Sequence, residues 1–159
     1  MSSALSYNYS LYSVPAVWGV GIGVHWAAIF LSKKSTEVPQ FDNLSPRAYR
    51  AKLRELAKHS ADAATILRIE AAQENIYENL GWYAAGIALA NFARLPVKTL
   101  NSIAGAYVVS RILYSVLYAK VSRSQAYAGL RSLSYLVSTG LTISLFTKSG
   151  RALNALPRF

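Results

Sequence analysis

The chain has 159 residues, is 53% hydrophobic and 15% charged, and carries a formal net charge of +10. This length allows one domain, residues 1–159. The absence of cysteine removes disulfides and thiolate chemistry, and two histidines, His25 and His59, are too few and too far apart for a metal site.

The basic excess is not a stripe interleaved with exposed aromatics, so it does not point to nucleic acid. Nine of the seventeen Lys and Arg lie in two polar stretches, 32–61 and 120–126, which is the pattern of a membrane protein with its charge crowded into loops.

Residues 1–11 are polar and uncharged, and without a basic n-region a cleaved secretory signal is a poor reading. The first apolar run, Tyr12–Leu31, is long enough for one transmembrane helix at about 20 residues. Pro15 sits in its first turn, where the missing N–H costs little. Gly19 and Gly23 form a small-xxx-small pair suited to close helix packing, with Gly21 between them. His25 reads as a histidine bonded to a carbonyl in the bundle interior, ahead of a catalytic role. Lys33 and Lys34 stop the run, and a polar loop follows to about residue 61. In it RAYRAKLRELAKH has the pattern of a short amphipathic helix with Leu53, Leu56 and Ala57 inward. Such a helix lies either on the membrane surface or in solvent.

Three further spans are expected at about 62–93, 99–119 and 127–146, followed by a polar, basic tail. The four spans put the two basic loops on one side, and the positive-inside rule places them in the cytosol. Each of the last three spans carries a polar stripe. Arg68, Asn75, Glu78 and Trp82 share one face of the second span; Tyr107, Arg111, Tyr114 and Tyr118 share one of the third; Tyr127, Arg131, Tyr135, Ser138 and Thr142 share one of the fourth. Ionisable groups inside a membrane face the bundle interior or a water-filled cavity. The stripes meet in the half of the membrane facing the large loop. There the two guanidiniums suit an anion, the tyrosines add donors, and Glu78 suits an ammonium. The alternative is a scaffold in which Arg111 pairs with Glu78 or Glu74 to hold the bundle together.

These residues carry a resemblance. The sequence resembles the MAPEG family (membrane-associated proteins in eicosanoid and glutathione metabolism) from the first span to the end of the fourth. AAQENIYEN is similar to the family's Asn-x-x-Glu signature, with Asn75 and Glu78 on the signature residues; Gln73 matches the leukotriene-type members. Arg111 and Tyr118 match an Arg and a Tyr of the third helix of microsomal prostaglandin E synthases, and LRSLSY matches the Arg-Ser-x-x-Tyr of their fourth. The resemblance implies an all-α integral membrane four-helix bundle, a homotrimer in the endoplasmic reticulum, and active sites between protomers facing the cytosol. It implies glutathione as co-substrate and a small lipophilic electrophile as substrate. Arg131, Tyr135, Tyr118 and Ser132 are then catalytic, and Asn75, Glu78, Arg111, Gln73 and Arg68 hold the peptide. The sequence departs from the eicosanoid synthases at Ala71, where they carry Arg, and from the prostaglandin enzymes at Glu74, where they carry a basic residue. Both changes make the expected pocket less positive. Two alternatives keep the fold without glutathione: an isomerase or cyclase of specialised metabolism, and a non-catalytic lipid-binding or scaffold protein.

Overall fold

The computed structural model describes residues 7–120 and 125–155. Of the expected third loop, Ser122, Arg123 and Ser124 lie outside the described residues, as does Arg158 of the tail. A 3-10 turn, Ser10–Tyr12, leads into five helices: α1 (Ser13–Lys34), α2 (Pro46–Leu56), α3 (Ala61–Phe92), α4 (Val97–Lys120) and α5 (Gln125–Asn154). This is one helix more than the four-helix bundle expected, because the amphipathic stretch of the large loop folds as α2. No strand occurs among the described residues. α5 runs eight residues past its expected end, through Lys148 and Arg151. Ser144, Thr147 and Ser149 bond their hydroxyls back to helix carbonyls there, so the polar residues do not break the helix.

α1 packs along α3, α4 pairs with α5, and α3 touches both α4 and α5. Among the described residues two segments are long and apolar enough to cross a membrane, Ser10–Lys34 and Val97–Lys120. α3 and α5 owe their lower hydropathy to the polar stripes they carry. The main core gathers Val17, Ile76, Tyr83, Ile87, Leu100 and Leu145 where α1, α3, α4 and α5 converge. A second core lies where α2 docks, with Tyr49 and Leu53 buried against Ala28, Ala63 and Ile66. Leu56 and Ala57 are partly buried on the same side, so the apolar face of α2 is turned onto the protein.

The close approach of α1 to α3 is made at Gly21, not at the Gly19/Gly23 pair. A Cβ on Gly21 would lie 2.6 Å from the Tyr77 ring, whereas one on Gly19 or Gly23 would meet nothing within 4 Å. The helical period places Gly21 on the opposite side of α1 from that pair, and this is the side α3 occupies. His25 also departs from expectation, since its buried Nδ1 has no hydrogen-bond partner among the described residues and its ring meets the edge of Phe41 at 5.5 Å.

Capping fixes both ends of α3. Ser60 Oγ accepts from the Ala63 N–H at 3.2 Å and donates to Glu37 at 2.6 Å. At the other end Arg94 takes a left-handed conformation, φ 53°, and the Leu95 N–H reaches back to the Ala90 carbonyl at 3.1 Å. Glycine adopts that conformation without the Cβ penalty, so Arg94→Gly is expected to stabilise the protein by about 1 kcal/mol. A thermal melt in mild detergent should show a rise of about 2–4 °C.

Beyond that turn a polar clasp ties the N-terminal segment to α3 and α4. Asn8 donates to Asn91 at 2.6 Å, Asn91 to Ser10 Oγ at 3.0 Å, and Asn101 holds both the Tyr9 N–H and the Tyr7 carbonyl at 2.8 Å.

Candidate functional site

α4 and α5 lie side by side, and their tyrosine and arginine stripes face the start of the apolar part of α3. Between them opens a cleft of about 380 Å³ lined by Asn75, Tyr114, Tyr118, Arg131, Ser132, Tyr135 and Leu136. Five of the nine expected site residues therefore share one wall: Asn75, Tyr118, Arg131, Ser132 and Tyr135. The Arg131 guanidinium sits 4.8 Å above the Tyr118 ring, a cation–π contact that fixes its direction while leaving its N–H groups free to bond. Tyr114 packs at 5.4 Å from Tyr118 and 6.3 Å from Tyr135, completing an aromatic wall. Tyr114 belongs to the periodic stripe of the third span although no family motif marks it.

The other four expected residues stand elsewhere. Arg111 lies beneath the cleft and is only 1% exposed. Its Nη1 donates to Asn75 Oδ1 at 3.0 Å, and Tyr107, Tyr114 and Tyr135 surround its guanidinium at 5.3, 5.3 and 5.7 Å. It forms no ion pair with Glu78 or Glu74, so the expected scaffold pairing is absent among the described residues. Glu78 is exposed on α3, one turn beyond Asn75 and outside the cleft lining. Arg68 lies two turns before Asn75, where its Nη2 donates to Thr65 Oγ1 at 2.6 Å. Gln73 points away from this cleft and lines a second one of about 330 Å³ with His25, Asn43, Arg47, Arg50 and Glu70.

Glu74 is not a free anion near the cleft. Arg50 of α2 bonds Glu74 and also approaches the buried carboxylate of Glu70 at 3.5 Å. The hydrogen bond to Glu74 pushes the Arg50 pKa up, with burial opposing it. One cation on α2 thus serves two carboxylates on the face of α3 turned away from the cleft. The sequence signal was weak, because Arg50 and Glu74 are 24 residues apart and only the docking of α2 joins them.

In chemical terms the cleft is rich in donors and holds no carboxylate: it offers a guanidinium, three tyrosine hydroxyls and the Asn75 amide, while the Ser132 hydroxyl donates to the Ala128 carbonyl at 3.1 Å. That donor set suits an anion. No curated protein and no solved structure matches the chain. The sequence pattern of the MAPEG family, by contrast, matches residues 11–151, from the turn before α1 almost to the end of α5. The match includes every residue of the cleft, and the chain belongs to the MAPEG family of membrane proteins.

Proposed function

We propose that the protein is a glutathione-dependent transferase or isomerase that acts inside the membrane on a lipophilic electrophile. The observation that carries this reading is the Arg131 guanidinium held over Tyr118 in a cleft whose lining has donors and no carboxylate. A cation and hydroxyl donors beside a thiol favour its ionised form, and a thiolate is the nucleophile such chemistry requires. Arg131 stabilises the charge on sulfur, Tyr118 and Tyr135 donate to it, and Asn75 bonds the peptide. The apolar end of the substrate lies toward Leu136 and the lipid. Gln73, which faces away from this cleft, and Glu78, which stands one turn beyond Asn75 outside its lining, serve the cleft of a neighbouring copy in a homotrimer. The basic residues at the ends of α1 and α4 and on α2 support a cytosolic position for this end of the bundle, and family membership supports the endoplasmic reticulum as the host membrane.

The test is glutathione binding by calorimetry on detergent-solubilised protein. Saturable binding that disappears in Arg131→Ala is expected. No binding at millimolar glutathione removes this reading in favour of a glutathione-independent isomerase or cyclase, or of a lipid-binding scaffold. The position of Gln73 on the far side of α3 favours that second reading if native mass in mild detergent shows only monomer, because a single chain then divides the peptide-binding set between two faces.

A further inference from the structure

A buried arginine without a carboxylate partner needs an explanation. Among the described residues Arg111 is the largest side chain with less than 2% exposure. Burying a cation costs several kcal/mol unless it is paired, yet the ion pairs among the described residues are Arg50–Glu70, Arg50–Glu74 and Lys58–Glu55. Among the described residues its one side-chain acceptor is Asn75 Oδ1, its Nε has no partner, and three tyrosine rings stand around its guanidinium. Two of those rings, Tyr114 and Tyr135, are cleft walls, and Asn75 is a cleft wall as well. Arg111 does not line the cleft, but it holds three of the residues that do.

We infer that Arg111 is a positioning residue, which orients the Asn75 amide and two tyrosine walls and lends the cleft its charge from below without touching the ligand. With Nη1 as donor, Asn75 Oδ1 is committed to Arg111 and its NH2 is left as the group that faces a ligand. The guanidinium charge, screened from solvent by the rings, adds to that of Arg131 at the anion. This inference rests on the cleft being an anion site, and its test separates it from the glutathione reading.

Three substitutions are read with and without glutathione. Arg111→Met removes the charge at similar volume and strands no charged partner among the described residues; Arg111→Lys keeps the charge but loses the reach to Asn75; Asn75→Ala removes the amide. The first readout is the fraction of bound glutathione present as thiolate at fixed pH, by ultraviolet absorbance. Arg111→Met is expected to lower it on the order of tenfold, as a charge about 10 Å away at an effective dielectric of about 20 implies; Arg111→Lys is expected to preserve it. Affinity for glutathione and for its monoethyl ester should fall equally in Arg111→Met. A loss confined to the ligand with the free carboxylate would mean direct contact and overturn the inference. Combining Arg111→Lys with Asn75→Ala should weaken binding no further than Asn75→Ala alone. The second readout needs no glutathione: the Asn75 side-chain amide, by NMR of protein with isotope-labelled asparagine. A protected, well-dispersed NH2 pair in the native protein that collapses in Arg111→Met supports positioning even if glutathione does not bind, in which case only the glutathione reading fails. An Asn75 amide indifferent to Arg111→Met overturns the inference, whatever glutathione does.

Discussion

Arg131→Ala is expected to lower glutathione-dependent turnover by a factor of about 10²–10³, the usual size for removing one preorganised group that stabilises developing charge. The side chain is half-buried at the edge of the cleft and touches Tyr118 through its guanidinium, so truncation leaves no buried partner stranded. Helix content and the melting temperature should therefore change little. Turnover of a model electrophile, followed beside circular dichroism on the same preparation, checks both halves of the expectation. Arg131→Lys should recover only part of the loss, because an ammonium keeps the charge but not the planar set of donors or the stacking on Tyr118. If Arg131→Ala retains full activity, the assignment of the thiolate-stabilising group is wrong.

The second large effect is on stability. Leu53 is fully buried beneath α2, among Ala28, Tyr49, Ala63 and Ile66. Leu53→Ala should cost about 2–4 kcal/mol, through lost burial and the cavity left behind. The loss is expected to be local, because α2 has an apolar core separate from that of the main bundle. Limited proteolysis should show faster cutting within 35–60 while the remaining helices stay protected. Undocking α2 also withdraws Arg50, which frees the Glu70 and Glu74 carboxylates together. A glutathione enzyme would then bind its anionic co-substrate less tightly although no cleft residue had changed. Equal binding in Leu53→Ala and the native protein would show that Glu74 does not act on the cleft.

Much of the architecture could be read from period alone. Stripes at steps of three and four residues gave α3, α4 and α5 and put Asn75, Tyr118, Arg131, Ser132 and Tyr135 within reach of one cleft. Helical geometry also contained a warning that the family resemblance overrode. Gln73 and Asn75 are two residues apart, so they point about 200° apart on an α-helix and cannot serve one cleft of one chain. What could not be read were facts about neighbours. A sequence shows that Gly19, Gly21 and Gly23 are small, but not that α3 lies on the side of Gly21. It shows an acidic Glu74 beside Asn75, but not that Arg50 takes up its charge after α2 docks. It shows Arg111 in a polar stripe, but a stripe has a rim and a floor, and only packing decides that Arg111 is on the floor.

The asparagine clasp at the far end of the bundle bears on biogenesis. Asn8 and Tyr9 find their partners 83 and 92 residues further along the chain. During synthesis α1 is made long before Asn91 and Asn101, so the polar segment ahead of it has none of these partners until they arrive. Once the turn between α3 and α4 is in place, their amides close over that segment. The clasp thus acts as a latch set only when α3 and α4 have been joined, and the segment leading into α1 is made before them yet locked after them.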